Sequence, residues 1–424
     1  MAEQRRLDPQ PWMNAPATRS VMAALTAEGG EARFVGGCVR DSVIGRPVRD
    51  IDIATHEPPE RVMALLKKAG LKAIPTGIEH GTVTAVVGAD HFEITTLRTD
   101  VETFGRRAEV AFTDDWAEDA ARRDLTINAL SLTQDGVLHD PFGGLADIEA
   151  GRVRFVGDAE TRITEDVLRA LRFFRFYAYY GRPPIDTEAL AAVKKLAPLL
   201  PTLSGERIWG ELVRLLRAPD PAAVCRLMEA HGVLSPLFPG QPWIARLAAL
   251  VEVEALRGIA GEAADPLRRL AAMVRLDADF ARALAARLKL SRKERVRLAA
   301  MAAAPDRIAA EAAPADSRRV IYSLGTEIYR DAVLLRWAGE RADLGRGAKD
   351  GAYAGLLDQC DSWPPPELPV KGADALRLGL TAGPKVGRAL ARVEAWWIDQ
   401  DFVPDRAACL ARLKSIVKNG ENRG

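Results

Sequence analysis

The spacing of apolar residues changes near Asp158, and this change constrains the fold more than any other feature of the chain. Before it, residues 71–74, 82–87 and 91–97 are rich in Val, Ile and Thr, which is typical of short β-strands. Residues 60–69 have the spacing of an amphipathic helix. After it, the strand pattern ends and helical spacing of Ala, Leu and Arg continues almost to the C-terminus. The sequence therefore predicts an α+β fold, in which a small antiparallel or mixed sheet precedes an all-α region.

Proline-rich breaks divide the helical region, and the most pronounced is Trp363-Pro-Pro-Pro-Glu-Leu-Pro369. From these breaks we expect a helical region of several domains. The N-terminal extension has no function that the sequence indicates. The expected segments are an N-terminal extension at 1–31, a head at 32–155, and helical domains at 156–217, 218–362 and 363–424.

The overall composition is that of an ordinary soluble globular protein, with 48% hydrophobic and 28% charged residues. Lys and Arg number 59 and Asp and Glu 58, so the net charge of +1 gives no global basic field. Any surface for nucleic acid must therefore be a local patch. The five histidines are scattered and form no His-Glu-x-x-His motif, which argues against a histidine-based metallohydrolase.

The cysteines and the hydropathy pattern bear on the compartment. Cys38, Cys225, Cys360 and Cys409 lie far apart, which argues against a zinc site and favours free thiols in a reducing cytoplasm. No apolar run reaches the roughly 18 residues that span a bilayer, and the N-terminus lacks the apolar core of a secretory signal. We therefore expect a cytoplasmic protein with no membrane association, and no protein partner is implied.

A glycine pair followed by a basic residue forms the first motif. Gly36 and Gly37 precede a predicted helix that contains Arg40. Free backbone N–H groups at a helix N-terminus attract phosphate, so this segment is a candidate phosphate site. A glycine pair alone is weak support, because turns explain most such pairs.

Paired carboxylates follow shortly after. Alternation along a strand would place Asp50 and Asp52 on one face, with Ile51 and Ile53 anchored in the core on the other. Two adjacent carboxylates suit Mg²⁺, and Asp is disfavoured in strands, so a pair there favours a metal site over simple solvent exposure. Glu93, between apolar neighbours on another predicted strand, is the candidate third carboxylate.

The segment Ala121-Arg-Arg-Asp-Leu-Thr-Ile-Asn-Ala129 is the next candidate. Asp124 and Asn128 are four residues apart, which predicts that they share a helix face. The planar fork of Arg123 can hold a phosphate, and Asp124 can accept a hydrogen bond from a ribose hydroxyl. The alternative is a helix start with a solvated Arg-Arg pair.

A helix that begins near Thr164 is predicted to place Asp166 beside Arg169, three residues on, with Arg172 and Arg175 continuing the stripe. Cytosine and adenine both present an amino donor beside a ring-nitrogen acceptor. A carboxylate next to a guanidinium matches that pattern and leaves guanine or uracil unpaired, at a cost of about 1–3 kcal/mol per contact. This pair could therefore select C and A without a template. The alternative is an ordinary surface ion pair.

Four further segments complete the sequence-based predictions. Residues 99–119 are polar and weakly periodic, which predicts a mobile loop, and Asp140-Pro-Phe-Gly-Gly144 predicts a structural turn. Residues 288–297 and 383–388 carry local positive charge, which indicates either RNA contacts or solvated helix faces.

The order and spacing of these motifs resemble the class II tRNA nucleotidyltransferases, that is, the CCA-adding enzymes and the related bacterial poly(A) polymerases. The resemblance runs from Phe34 to about Gly181 and continues more faintly to the C-terminus. The matching segments are Gly36-Gly-Cys-Val-Arg-Asp41, Asp50-Ile-Asp-Ile-Ala-Thr55, His80-Gly-Thr82, Glu93-Ile-Thr-Thr-Leu-Arg98, Arg122-Arg-Asp-Leu-Thr-Ile-Asn-Ala129, Asp140-Pro-Phe-Gly-Gly144 and Glu165-Asp-Val-Leu-Arg-Ala-Leu-Arg172.

The resemblance implies a polymerase-β-like head followed by helical neck, body and tail domains, which would be residues 156–217, 218–362 and 363–424. It also implies an enzyme that adds C, C and A to the tRNA 3′ end from CTP and ATP and releases pyrophosphate. The implied roles are metal binding for Asp50 and Asp52, triphosphate and ribose contacts for Gly37, Arg40 and Arg123, and base selection for Asp166 and Arg169, supported by Arg172 and Arg175. It further implies that residues 99–119 form a flexible loop used in switching from C to A, and that the two basic segments contact tRNA.

Three alternatives remain open at this point. A poly(A) polymerase would share the same head, and a partial enzyme would add only CC or only A. A non-catalytic RNA-binding protein is the alternative of a different class, but a vestigial head has no physical need for the paired acids. The helical half carries no His-Asp phosphohydrolase signature, so the extra repair domain of some relatives is not expected.

Overall fold

The computed structural model describes residues 5–104, 107–238, 240, 242–345, 347 and 349–421. By their internal contacts, the residues divide into two compact units, Met1–Gln241 and Pro242–Gly424. The first unit contains all the strands among the described residues, and the second is helical. The predicted α+β class, with a small sheet followed by helices, is confirmed.

A seven-stranded mixed sheet organises the first unit. Its order is β3-β4-β5-β2-β1-β8-β9, and β2 and β5 run parallel whereas the other neighbours are antiparallel. A separate antiparallel hairpin is formed by β6 and β7. The predicted strands are confirmed to within a few residues. The bounds are β1 Ala32–Val35, β2 Ile51–Thr55, β3 Lys72–Gly77, β4 Thr82–Val87, β5 Asp90–Thr96, β6 Arg98–Phe104, β7 Arg107–Phe112, β8 Ser131–Leu132 and β9 Leu138–His139.

Helices pack against one face of this sheet, and the rest of the unit after the last strand is helical. Pro59 and the acidic residue after it begin α4, and two lysines lie in its last turn, as the helix dipole favours. The helices of this unit are α1 Pro11–Asn14, α2 Pro16–Thr26, α3 Gly37–Val43, α4 Pro59–Lys68, α5 Trp116–Ala121, α6 Gly144–Ala150, α7 Ala159–Glu165, α8 Leu168–Tyr180, α9 Thr187–Leu196, α10 Gly205–Leu216 and α11 Pro221–Ala230.

The N-terminal segment for which the sequence suggested no function packs into the core of the head. Met13, Val21 and Leu25 are fully buried in the same hydrophobic cluster as the sheet. The Trp12 ring lies edge-on to Phe34 at 4.7 Å, and its indole N–H donates to a serine of α3 at 3.0 Å. Burial of this kind stabilises the head by roughly 1.5–3 kcal/mol per large side chain.

One sequence prediction fails in the segment 99–119. It was expected to be a loop, but the structure forms the hairpin β6–β7 there and begins α5 at Trp116. Backbone hydrogen bonds between two strands need no alternation of apolar side chains, so a polar hairpin leaves little signal in the sequence.

The helix predicted near Thr164 also differs. Thr164 lies in the last turn of α7, and the chain leaves helical geometry at Asp166 before α8 begins at Leu168. Asp166 accepts a hydrogen bond from the Leu168 N–H at 3.1 Å, so it caps α8 where the sequence suggested it would lie inside the helix. In contrast, the predicted turn at 140–144 is confirmed, and Asp140 accepts from two N–H groups at the start of α6.

The second unit contains a network of buried ion pairs within its apolar packing. Glu254, fully buried, accepts from Arg268 at 3.2 Å and Arg269 at 2.8 Å, while Asp331 accepts from Arg268 at 2.8 Å and Arg297 at 2.7 Å. Each buried charge thus has hydrogen-bonded partners, as burial requires. No helix among the described residues is long and apolar enough to span a membrane. The helices are α12 Ile244–Leu256, α13 Pro266–Met273, α14 Ala278–Arg287, α15 Arg292–Ala303, α16 Pro314–Leu324, α17 Thr326–Leu344, α18 Asp350–Ser362, α19 Gly372–Arg377, α20 Pro384–Asp399 and α21 Arg406–Glu421.

We predict that Leu25→Ala destabilises the head by about 3 kcal/mol, because Leu25 is fully buried and its truncation leaves a cavity. Thermal unfolding should show a lower midpoint for the transition of the first unit. The matched control is Leu199→Ala in the same unit, where the leucine is 41% exposed and the loss should be less than half as large. Equal losses would show that α2 is not part of the cooperative core.

Candidate active site

At one side of the site, the start of α3 lies close to the segment that carries Arg123. β1 ends at Val35, and Gly36 turns the chain into α3 with φ +71° and ψ −123°. A side chain at this position would be strained, and its Cβ would lie 3.1 Å from the guanidinium of Arg123. Glycine at position 36 therefore allows the start of α3 and Arg123 to lie side by side.

The predicted carboxylates Asp50 and Asp52 lie at the N-terminal end of β2, the strand that pairs with β1. The strand begins at Ile51, so Asp50 immediately precedes it, and Asp52 lies on it opposite Glu93 of the parallel strand β5. Ile53 is fully buried, as predicted. Burial, the Glu93 carboxylate and the Asp50 carboxylate raise the pKa of Asp52 to about 6, although the charge of Arg123 opposes them.

This donor set fits a magnesium ion. Over the described ranges, no group of three or more His, Cys, Asp or Glu side chains comes together as a preformed metal cage. Mg²⁺ does not require one, because it is commonly held by one or two carboxylates together with phosphate oxygens and water. The raised pKa of Asp52 comes first from its burial and then from the neighbouring carboxylates, whose charge Arg123 only partly offsets, so a divalent ion would be favoured beside them.

Arg40 connects α3 to two other elements. Its guanidinium donates to the Asn128 side-chain oxygen at 2.6 Å and to both oxygens of Asp41 at 3.0 Å. It also lies over the ring of Tyr180, 4.3 Å from the centroid, and the Tyr180 hydroxyl donates to Asp41 at 3.0 Å. These contacts hold α3 against the C-terminal end of α8.

The expectation that Asp124 and Asn128 share a helix face is wrong, although the two side chains do meet. Asp124 lies in a bend after α5, and Asn128 ends a short 3₁₀ turn at residues 126–128. Asn128 donates to Asp124 at 3.1 Å, and Arg172 donates to the other carboxylate oxygen at 2.6 Å. Burial opposes ionisation of Asp124, but the charge and hydrogen bond of Arg172 outweigh it and hold the pKa of Asp124 below its usual range.

Asp166 and Arg169 both face the site but do not pair with each other. Asp166 accepts from Arg207 at 2.6 Å, while Arg169 donates to Glu165 and to the Arg162 carbonyl at 3.0 Å. The alternative interpretation, an ordinary surface ion pair between the two, is therefore not what the structure shows. Each instead has fixed partners. The Asp166 oxygens can still accept with their second lone pairs, and Arg169 has N–H groups left to donate.

Sequence reasoning missed the contribution of α10. Arg207 and Glu211 are four residues apart on this helix and face α8, where Arg207 holds Asp166 and Glu211 accepts from Arg175 at 2.6 Å. The sequence does show a basic and an acidic residue four positions apart, the spacing of neighbours on one face of a helix. What the sequence did not show is which helix that face would contact.

The central cavity, about 480 Å³ in volume, is where most of these side chains meet. All the predicted nucleotide-binding residues except Arg175 line it. Of the predicted carboxylates, Asp52 lines it, whereas Asp50 and Glu93 do not. The residues that line it are Gly36, Gly37, Arg40, Asp52, Arg123, Asp124, Asn128, Asp166, Leu168, Arg169, Arg172, Phe176 and Arg207.

The chemistry available in the central cavity is mixed. One end has a carboxylate beside the glycine turn and two arginines, which suits a polyphosphate and its counter-ion. The other end has Asp166 and Arg169, which suit the polar edge of a heterocycle. The cavity is thus shaped for a molecule that carries both, such as a nucleoside triphosphate.

Two basic segments of the second unit lie on helix starts. The Ser291 hydroxyl caps α15 by accepting from the Glu294 N–H, and the Glu294 carboxylate accepts in turn from the Ser291 N–H. The side chains of Arg292, Lys293 and Arg295 are exposed around this helix start. At α20, Gly383 precedes Pro384 at the first helical position. Exposed basic side chains beside helix N-termini are suited to backbone phosphates.

Comparison with known proteins shows two family matches within the chain. Residues 32–154 match the family described as the poly A polymerase head domain, and residues 184–244 match the family described as a probable RNA and SrmB-binding site of polymerase A. The two matches cover the head and part of the helical region that follows.

Full-length relatives extend this likeness to most of the chain. The CCA tRNA nucleotidyltransferase 1, mitochondrial, of Mus musculus is 35% identical over 93% of this chain and 89% of its own length, and the Homo sapiens protein of the same name is 34% identical over 93% and 89%. Among solved structures, the Bacillus stearothermophilus CCA-adding enzyme in complex with CTP superposes with a TM-score of 0.75 and 28% identity, over 96% of this chain and 100% of that one.

We predict that Asp52→Asn stabilises the metal-free protein at neutral pH. The folded-state pKa of about 6 lies above the unfolded value of about 3.9, so ionisation of Asp52 costs nothing below pH 4, and the cost is complete once pH has risen through 6. The variant should therefore gain about 2–3 kcal/mol over the native protein at pH 7.5 and nothing at pH 4. Denaturant unfolding in EDTA at both pH values measures this.

The control for that experiment is Asp50→Asn, since Asp50 is exposed. It should change the unfolding free energy little at either pH. A gain for Asp52→Asn that is the same at pH 4 and pH 7.5 would contradict the charge argument.

Proposed function

The chain belongs to the CCA-adding tRNA nucleotidyltransferase family, and on that premise we propose that it adds C, C and A to the 3′ end of tRNA from CTP and ATP. It is a nucleotidyltransferase, and the reaction forms a bond between the RNA 3′ oxygen and the α-phosphorus while pyrophosphate leaves. The observation that carries the proposal is the central cavity, where Asp52, the glycine turn and Asp166 with Arg169 meet in one volume.

At the phosphate end, we assign the triphosphate to the Gly36–Gly37 turn, Arg40 and Arg123. Arg40 is already fixed by Asn128 and Asp41, so it needs little reordering when the anion arrives. Arg123 contacts Asp119 at 3.2 Å and the Asn128 carbonyl at 3.5 Å, which leaves donors for phosphate oxygens.

The carboxylates Asp50 and Asp52 would hold Mg²⁺, with Glu93 as the neighbouring acid on β5. When bound, magnesium supplies Lewis-acid activation of the attacking hydroxyl and neutralises charge on the leaving pyrophosphate. The place of Asp52 on a strand, with Ile53 buried behind it, fixes its direction relative to the cavity. Glu93 adds negative charge beside it, and this favours cation binding.

At the other end, we assign base selection to Asp166 and Arg169. Cytosine and adenine each offer a donor beside an acceptor, which matches a carboxylate beside a guanidinium. The Leu168 N–H and Arg207 hold Asp166, and Arg172 stays in place through Asp124. We assign Asp124, Asn128, Arg172 and Arg175 supporting roles, because their contacts in the structure are mainly with one another and with Arg40 and Glu211.

The RNA would contact the second unit through its basic helix starts. The exposed side chains of Arg292, Lys293 and Arg295 and the segment 383–388 are the proposed contacts. Since the net charge of the chain is +1, binding depends on these local patches and should weaken as salt is raised. We propose a cytoplasmic enzyme, consistent with four free, buried cysteines, and no protein partner is required.

The decisive experiment incubates the protein with Mg²⁺, CTP, ATP and a tRNA that lacks its terminal CCA. We predict products that stop after C, C and A, with incorporation of C alone when ATP is omitted. Asp52→Asn serves as the control, because it should yield no extended product while still binding the tRNA in a gel-shift assay. A long ladder of A would identify a poly(A) polymerase, and tRNA binding without extension by the native protein would identify a non-catalytic binding protein.

Base selection is tested separately with Asp166→Ala. We predict that incorporation of UTP and GTP relative to CTP rises about tenfold, because the unpaired-group penalty of about 1–3 kcal/mol disappears. Asp166 also caps α8, so the matched control is Asp186→Ala, which removes the cap of α9 in the same unit, where Asp186 accepts from Ala189 at 2.9 Å. Unchanged selectivity in the Asp166 variant, with activity retained, would remove the selection argument.

A further inference from the structure

A second cavity of about 680 Å³ lies beside the central cavity, and the proposed function does not use it. We call it the side cavity. Arg123 lines both cavities and forms part of the wall between them. Other residues that line the side cavity are Arg33, Trp116, Ser131 and His139.

The register of the sheet places the side cavity on the same face as the carboxylates. Asp52 pairs with Glu93 on one side, and the register of β1 and β2, continued by one residue, sets Val35 beside it on the other. Val35 pairs in turn with Ser131, and Ser131 with His139. One row of side chains therefore crosses the sheet. With strands about 4.8 Å apart, Ser131 lies roughly 10 Å and His139 roughly 14 Å from Asp52.

Two polar side chains in that row have no internal partner to satisfy them. Ser131 is 9% exposed and His139 is partly buried, yet within the described part of the chain neither the hydroxyl nor the imidazole makes a hydrogen bond. Neither side chain is among those with a fully buried, unpartnered polar atom in the described residues, so the polar atoms of both are accessible from the cavity and available to a ligand. Burial and the charge of Arg33 lower the pKa of His139, which keeps the imidazole neutral and able both to donate and to accept.

The acidic residues around the side cavity are already engaged. Asp119 accepts from Arg122 at 2.8 Å and from Arg123 at 3.2 Å, and Asp140 accepts from two backbone N–H groups of α6. Of the arginines in the lining, Arg5 is paired with Glu149 and Arg33 with Glu31, while Arg123 keeps further donors at one border of the cavity. A ligand therefore meets a neutral hydrogen-bonding row at Ser131 and His139 and a cation at Arg123.

The remaining walls suit a flat ring. Val35, Leu138 and Leu145 supply apolar surface, and Trp116 supplies an aromatic side with Arg33 lying over it at 4.0 Å. A planar heterocycle with a polar edge and one anionic group matches these features together. From them we propose that the side cavity binds a free mononucleotide, with its base against Ser131 and His139 and its phosphate on Arg123.

Sharing of Arg123 has a consequence that rests on the proposed function. A phosphate that engages Arg123 from the side cavity draws it away from the triphosphate in the central cavity. Occupancy of the side cavity should then raise the KM for CTP and leave kcat unchanged, since the carboxylates are not displaced.

The test uses the full chain labelled with ¹³C at histidine, with AMP as the probe. The His139 resonance, identified by its loss in His139→Phe, should shift with AMP until the site is saturated. Ser131→Val should raise the dissociation constant for AMP about three- to tenfold, because it removes one hydrogen bond to the ligand. His91→Phe is the control, because His91 is an exposed histidine of β5 and its removal should not change AMP binding.

Two outcomes would overturn the proposal. The first is a His139 resonance that AMP does not move, in a preparation that still extends tRNA. The second is a shift produced by tRNA without its CCA but not by AMP, which would assign the cavity to the RNA. A protein that shows the AMP shift but does not extend tRNA would refute the proposed function and leave the side cavity assigned.

Discussion

The parallel pairing of β2 with β5 is the constraint from which the site follows. It sets Asp52 beside Glu93 in register, and Asp50 adds a third charge at the end of the strand. Like charges in a partly buried place oppose folding, and the raised pKa of Asp52 expresses that opposition. The sheet tolerates it because Ile53 and its neighbours bury a large apolar face behind the acids. The head therefore maintains a locally unfavourable charge arrangement, and that arrangement is what makes the position suitable for a divalent cation.

A chain of hydrogen bonds connects this sheet to the helix that bears the proposed base-selecting residues. Arg40 donates to Asn128, Asn128 to Asp124, and Arg172 to Asp124, so α3, the bend after α5, and α8 share one network. Buried networks in which every member is paired fix geometry more than they add stability. The network thus determines the distance between the carboxylate end and the heterocycle end of the central cavity, which a nucleoside triphosphate must span.

Much of this was predictable from local patterns, and the failures have a common physical origin. The strands and α4 were located by periodicity, and the glycine turn and carboxylates by residue chemistry, because those signals lie within a few neighbouring residues. Asp124 with Asn128 was placed correctly as a contact but wrongly as a helix face, since spacing alone does not separate a helix from a bend followed by a 3₁₀ turn. The contact between Asp166 and Arg207 was not visible in the sequence, because the two residues are 41 positions apart. The packing of Met13 and Leu25 into the head likewise depends on tertiary contacts that no short window contains. The hairpin at 98–112 is local, but its polar strands lack the apolar alternation that would have indicated it.

The fixed position of Asp166 also limits how the proposed enzyme could accept two bases of different size. One of its oxygens accepts from the Leu168 N–H and the other from Arg207, so the carboxylate cannot rotate without losing a bond. Arg169 is similarly held by Glu165 and the Arg162 carbonyl. The polar edge of the base must therefore sit at one place for both cytosine and adenine. The extra ring of adenine then has to be accommodated on the opposite side of the base, away from Asp166. Selection by a rigid edge and tolerance of size on the opposite side are compatible, because hydrogen bonding discriminates by pattern and apolar walls discriminate weakly by size.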